Sequence, residues 1–344
     1  MFRARRMLAV TTATLLVAGL AACASDDNAG EGGNNTGTGD FAPVTIQHAF
    51  GSTEITQKPE RVATVSWANQ EVPLALGVVP VGMQAATFGD DDDNGMLPWV
   101  EDRLEELDAE APVLFDETDG IDFEAVADTV PDVILAAYSG LTQEDYDTLS
   151  EIAPVVAYPE TAWGTSWRDM ILLNSEAMGM QTEGEQLVAD LEDEIATTVS
   201  EHPALDGTSA MFLTHVDTTD LSEVSFYTTH DTRTAFFEDL GLSFPQSLIE
   251  ASDATEAFSS SISSEQVDTF SDVDVIVTYG GEELVAALEG DPILSQMPAV
   301  QNDAIVPLPS DGPLGTAANP TPLSISYILD EYVTLLAEAA AKSE

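Results

Sequence analysis

Residues 124–138, EAVADTVPDVILAAY, and residues 265–279, EQVDTFSDVDVIVTY, decide the fold. In each, a Glu stands 14 residues before the Tyr that closes a hydrophobic run, Glu124 before Tyr138 and Glu265 before Tyr279. A Gly follows soon after, at Gly140 and Gly280. Each stretch reads as a helix, an Asp and a buried strand. Two copies of one helix–strand unit imply two lobes of similar fold.

Outward from these copies, short apolar runs alternate with helical segments. Strands are expected at residues 61–67 (RVATVSW), 80–84, 132–138, 154–158, 210–216 (AMFLTHV), 274–279 and 304–308, with helices at 70–76 and 123–129 among those between them. Val/Ile/Leu runs separated by helices predict parallel sheets covered on both faces, the α/β class.

The middle of the chain differs. Ser166-Trp167-Arg168-Asp169 and Thr182-Glu183-Gly184-Glu185 both match a capping box. The second opens a long helix to about residue 201, with Leu187, Leu191 and Ile195 four apart on one face. Such a helix between two αβ halves reads as a strut. The expected organisation is an N-terminal lobe at 43–165, linking helices at 166–204 and a C-terminal lobe at 205–344.

The 344 residues carry 62 Asp and Glu against 9 Lys and Arg, a formal net charge of −53. That balance excludes binders of nucleic acid or anionic membrane, whose affinity comes from basic side chains neutralising phosphates. Disorder is excluded too, because 44% of residues are hydrophobic. With one Cys, no disulfide framework within the chain can form.

That Cys closes the leader. Arg3, Arg5 and Arg6 precede an apolar stretch at 7–20, shorter than the roughly 20 residues a bilayer-spanning helix needs and of signal-peptide length. Leu20-Ala21-Ala22-Cys23 resembles the lipobox of bacterial lipoproteins. The resemblance implies that residues 1–22 are a signal peptide cleaved before Cys23, that the Cys23 sulfur receives a diacylglyceryl group, and that the protein is extracytoplasmic and lipid-anchored to the cell membrane. Residues 23–42 then form a tether. Its stretch ASDDNAGEGGNNTGTGD (24–40) holds no large apolar side chain and has a reach of about 20–25 Å. Loss of the leader removes three of the nine basic residues and no acid, so the mature chain is more acidic still.

Several segments, in order, resemble the substrate-binding proteins of ABC importers for iron-siderophores and vitamin B12. Residues 50–55 (FGSTEI) and 58–62 (KPERV) resemble that family's opening hairpin and first core strand. Residues 71–77 (EVPLALG), followed by Val81-Gly82, resemble its next helix and strand, and Asn319-Pro320-Thr321-Pro322-Leu323-Ser324 resembles the ending of its siderophore branch. The resemblance spans about residues 44–340. It implies two Rossmann-like, three-layer lobes joined by a single long helix, with the ligand held between them, no catalysis and a monomer. It also implies that Glu124 and Glu265, each opening the helix before its core strand, dock onto arginines of the permease; a carboxylate is favoured in a helix's first turn in any case.

Ligands of open α/β sheets sit beyond the carboxyl ends of the strands. Those ends carry Trp67, Tyr138, Tyr158 and nearby Trp163 in the first lobe, and His215 and Tyr279 in the second, with Tyr227 and Arg233 beyond. The expected ligand site is Trp67, Tyr138, Trp163, His215, Tyr227, Arg233 and Tyr279. Aromatics facing a cleft suit a bulky or macrocyclic ligand, and Arg233 would give a charge-assisted hydrogen bond to its oxygens. Arg61 is expected to be structural, and Arg103 and Arg168 to be surface ion-pair partners. In the family reading a ferric-siderophore brings its own oxygen shell, so no intrinsic cofactor or metal ligand is expected. The His residues, at 48, 202, 215 and 230, are scattered accordingly. Haem or corrinoid capture on the same fold is the alternative, since a lone His or Tyr can ligate haem iron. A secreted lipid-anchored enzyme is a distant third, for no nucleophile elbow is present.

Asp90, Asp92, Asn94 and Glu101 satisfy the EF-hand spacing with Gly95 at the turn, a possible Ca²⁺ loop. Against it, no helix is expected before the loop and Pro98 occupies the ninth position. The excess of acid biases the site against highly anionic ligands and mildly towards neutral or cationic hydroxamate complexes. Such acidity would also suit a salt-rich habitat.

Overall fold

The computed structural model describes residues 41–310 and 312–343. Cys23, the leader and most of the tether lie outside the described residues. A hairpin, β1 (Val44–His48) and β2 (Gly51–Ile55), opens the described chain. The first sheet follows with β3 (Val62–Thr64), β4 (Gly82–Gln84), β5 (Val113–Phe115), β6 (Val133–Ala136) and β7 (Val155–Ala157), all parallel, in the order β5-β4-β3-β6-β7. Its helices are α1 (Glu71–Ala75), α2 (Pro98–Glu106), α3 (Phe123–Asp128) and α4 (Gln143–Ser150). Then come α5 (Trp167–Ala177) and the 20-residue α6 (Gln181–Ser200).

The second sheet holds β8 (Ala210–Leu213), β9 (Glu223–Tyr227), β10 (Ser259–Ser263), β11 (Val275–Tyr279) and β12 (Ile305–Leu308), in the order β10-β9-β8-β11-β12. Around it run α7 (Thr232–Asp239), α8 (Gln246–Ser252), α9 (Glu282–Gly290), α10 (Pro298–Gln301), α11 (Pro313–Ala317) and α12 (Ser324–Ser343).

The two echoed units occupy matching places. In each sheet the repeated strand, β6 or β11, lies second from one edge, between the sheet's first and last strands. The match is incomplete, and the expectation of wholly parallel sheets needs correction. β9 runs antiparallel to β8, and β10 antiparallel to β9. The reasons are local: a hairpin-like return without a helix joins β8 to β9, and β10 (SSSIS), which follows α7 and α8, is too polar to be buried on both faces.

Period-two alternation splits each buried strand between two layers. Ile134 and Ala136 of β6 face an outer core with Phe115, Val126 and Leu149. Val133, Leu135 and Ala137 face a central core, which also takes Val275 and Val277 of β11, Phe212 of β8, and Leu191, Ile195, Tyr332 and Val333 of α6 and α12. Ile276 of β11 faces a third cluster with Met211 and Phe270. One central core is thus shared by both sheets.

The long helix exists, but its start is corrected. α6 begins at Gln181 behind Met180, without a side-chain cap, so Thr182 and Glu185 lie inside the helix. The chain reverses at Gly179 in the left-handed region (φ 68°), and the Met180 amide bonds back to Ser175 O, which starts the helix early. Ser166 does cap α5, accepting from the Asp169 amide. Glu71 ties α1 to α2 and to the residue before α12. Its carboxylate accepts from Trp99 Nε1 (2.7 Å) and from the Leu323 amide (2.9 Å), and full burial pushes its pKa up.

Candidate functional site

Ten side chains from both sheets line a cavity of about 310 Å³ at the carboxyl ends of the strands. Trp67 follows β3, Phe88 follows β4, and Tyr138 and Tyr279 follow or close β6 and β11; Arg233 stands in the first turn of α7. Trp163 and Phe258, both large apolar side chains at the surface, face this cavity and also a wider groove of about 1000 Å³ that runs on between α5 and α7. Five of the seven expected ligand residues therefore meet in one cavity: Trp67, Tyr138, Trp163, Arg233 and Tyr279.

The other two stand behind it. Tyr227 is buried and lies beneath Arg233, whose guanidinium carbon is 4.1 Å from the ring centroid. His215 stacks on Tyr279 with centroids 4.6 Å apart, supporting a cavity wall. Burial, aided by the Arg233 charge, lowers the His215 pKa. Tyr158 is corrected away from the cleft: it belongs to the outer core, and its hydroxyl donates to Leu141 O (3.2 Å).

Arg233 is held rigidly. Its Nε and Nη2 each lie 2.9 Å from a separate oxygen of Asp231, the α7 N-cap. Burial alone would depress the Arg233 pKa; the Asp231 carboxylate and the nearby Tyr279 and Tyr227 override it, so the side chain stays charged. Burial raises the Tyr227 pKa to about 12 and the Tyr279 pKa as well, while Arg233 opposes both shifts. The cavity is thus aromatic with one cation, itself neutralised from below.

Tyr138 has a second duty. Asn319 Nδ2 donates to its hydroxyl oxygen (3.2 Å), and Thr232 Oγ1 donates to Asn319 Oδ1 (2.6 Å), leaving the Tyr138 hydroxyl proton for Thr232 (3.3 Å). This buried triangle joins the end of β6 to α7 and to the segment after α11. Trp163 adopts a left-handed backbone (φ 62°) and lies against Gly140, where a Cβ would overlap the indole.

Sequence reasoning missed Phe88, Asp231, Phe258, Thr316 and Asn319. Asn319 had a signal, since it opens the Asn-Pro-Thr-Pro segment that carries the family resemblance. Phe88 and Phe258 lie on loops without periodicity, and only the tertiary fold brings them in.

The remaining candidates are dispersed. Glu124 is exposed in the first turn of α3, and Glu265 is exposed in a 3₁₀ helix, Ser264–Phe270, rather than an α-helix. Arg61 is structural, donating through Nε to Val130 O (2.8 Å) and through Nη2 to Thr129 O. Arg103 pairs with Glu106 and also caps α1 at Leu74 O and Ala75 O. Arg168 pairs with Glu192 and Asp239.

The calcium loop is corrected. Asp90 spends its carboxylate on the amides of Asp92, Asn94 and Gly95, and Asn94 turns its Nδ2 donor to Glu101 (2.6 Å). These oxygens are engaged inside the loop instead of converging. Among the described residues, no group of three or more His, Cys, Asp or Glu could hold a metal ion.

Two α/β sheets sharing a core, with an aromatic cleft at their strand ends, define a two-lobed solute-binding protein. The chain belongs to the periplasmic binding protein family, whose model matches residues 62–311. It is 44% identical to PiaA of Streptococcus pneumoniae, solved in complex with ferrichrome, with a TM-score of 0.83 over 87% of this chain and 99% of that one. It is 28% identical over 179 residues to a probable siderophore-binding lipoprotein, YfiY, of Bacillus subtilis, covering 52% of this chain and 50% of that protein. The matched segments thus span about half the length of the curated relatives. SirA of Staphylococcus aureus, solved with staphyloferrin B, shares the fold at 20% identity (TM-score 0.66, covering 85% and 98% of the two chains).

Proposed function

We propose that this protein is the extracytoplasmic receptor of an ABC importer, capturing a ferric-siderophore in the aromatic cavity and delivering it to the permease. The observation that carries the reading is Arg233 in the wall of that cavity, with its charge already balanced by Asp231. A site of aromatic faces and one balanced cation favours a neutral complex, with hydroxamate oxygens taking Arg233 donors and the ligand's apolar faces lying on Trp67, Trp163 and Phe258. The likeness to the ferrichrome-bound PiaA supports a ligand of the trihydroxamate kind.

Titrating the protein's tryptophan fluorescence with ferrichrome, a tris-catecholate complex, ferric citrate, haem and cobalamin tests this. Saturable quenching, tightest with ferrichrome, is expected. A Soret band with haem and no response to any siderophore would overturn it in favour of haem capture.

Anchoring through Cys23 and docking through Glu124 and Glu265 belong to the same proposal. The lipobox-like leader and the lipoprotein relatives support the anchor. Cys23→Ser should move the protein from the membrane fraction to the medium.

A further inference from the structure

Trp67 is presented by an unusual piece of backbone. Both of its neighbours, Ser66 (φ 61°) and Ala68 (φ 63°), occupy the left-handed region without being glycine. Each such residue is held only where its surroundings over-determine it. Two side chains do so here. Asn69, fully buried, donates through Nδ2 to Val65 O (2.9 Å), Tyr138 O (2.8 Å) and Trp67 O (3.3 Å), and accepts from the Tyr138 amide (3.1 Å). From the opposite side, Glu117, two residues beyond β5, accepts the buried Ser66 amide on both carboxylate oxygens, at 3.0 and 3.3 Å.

Glu117 does not line the cavity, so it touches the ligand only through what it holds. Resting on the function proposed above, we propose that Glu117 is a positioning residue whose ionised carboxylate holds the Ser66 amide and so fixes the Trp67 indole for siderophore capture. Among the described residues no Lys, Arg or His pairs with it. The titratable group facing it is Asp122, the N-cap of α3; from the segment after β3 it meets the Ser66 amide. Burial first, and the Asp122 charge second, push its pKa up to about 7, against the Ser66 hydrogen bond. A carboxylate accepts an amide more strongly than a neutral carboxyl does. Capture therefore tightens as pH rises through about 7, a point at which an ordinary Glu has long been ionised.

The test is ferrichrome affinity of the whole protein from pH 5.5 to 8.5 for wild type and Glu117→Gln, whose amide stands in for the protonated acid. Wild type should bind about tenfold more tightly at the top of the range, the difference between a charged and a neutral acceptor. Glu117→Gln should be flat at the wild type's low-pH value. A flat wild-type profile overturns the proposal. So does a profile that survives Glu117→Gln, which would assign it to His215, whose step lies below 6.5.

If wild type binds no siderophore at any pH, the functional reading fails and Glu117 is judged on the free protein. The Trp67 emission, taken as wild type minus Trp67→Phe, should then shift with a midpoint near 7 and lose that shift in Glu117→Gln. A constant emission would overturn the positioning role by itself.

Discussion

Arg233 and Asp231, two residues apart, form a two-pronged ion pair at the first turn of α7, both contacts 2.9 Å long. Asp231 is almost wholly buried, and Arg233 shows only one flank, to the cavity. In a chain of net charge −53, this places a fixed, balanced cation at the ligand.

Asp231→Asn keeps an N-cap oxygen but leaves the guanidinium unbalanced. Unfolding in urea should show a loss of about 3 kcal/mol, the cost of removing one partner of a largely buried pair. Binding should shift towards anionic siderophores relative to ferrichrome. An unchanged ligand preference would mean that Arg233 does not sense ligand charge.

Tyr138→Phe keeps the ring and removes the hydroxyl from the triangle with Thr232 and Asn319. A loss of about 1–2 kcal/mol in stability is expected, since Asn319 loses a buried partner, with ferrichrome affinity within about threefold of wild type. A large affinity loss at unchanged stability would make the hydroxyl a ligand contact instead.

Gly140→Ala places a methyl where the Trp163 indole lies. Trp163 is 36% exposed and can swing outward, so the thermal midpoint should move little. Affinity should fall by about tenfold or more as one aromatic face leaves the ligand.

Glu117 should trade stability for function. Its carboxyl pKa is raised in the fold to about 7 from 4.5, so the folded protein holds the proton more tightly than the unfolded chain. The stabilisation is complete below 4.5 and is lost as pH rises through about 7. His215 and His48, both lowered by burial, act in the opposite direction, contributing above 6.5 and losing it as pH falls. The thermal midpoint of wild type minus that of Glu117→Gln, followed from pH 4 to 8, isolates the Glu117 part and should decrease with pH.

Reversing both docking carboxylates, Glu124→Arg with Glu265→Arg, should abolish siderophore uptake by cells while leaving ferrichrome affinity intact. Both side chains are exposed and neither lines the cavity. A parallel loss of affinity would remove them from the permease surface.

Much of the fold was legible because its signals are local. The runs ending at Tyr138 and Tyr279 are apolar but for Thr278, as strands buried on both faces tend to be, and both became the matching strands of their sheets. The spacing of Leu187, Leu191 and Ile195 marked α6 for the same reason. Polar β10 gave no such pattern, so the antiparallel edge of the second sheet went unread.

The α/β class, the two copies of one unit, the acidic balance and five of the cavity's side chains could be read along the chain, since strand ends follow from strand positions. Long-range packing set the rest. It placed Phe88 and Phe258 in the cleft, moved Tyr227 beneath Arg233 and closed Asp90 onto its own loop. It also set Glu117 against Ser66, 51 residues away. These outcomes depend on contacts between segments distant in the chain, and on which side of a turn a side chain leaves, and neither leaves a periodic mark in the sequence.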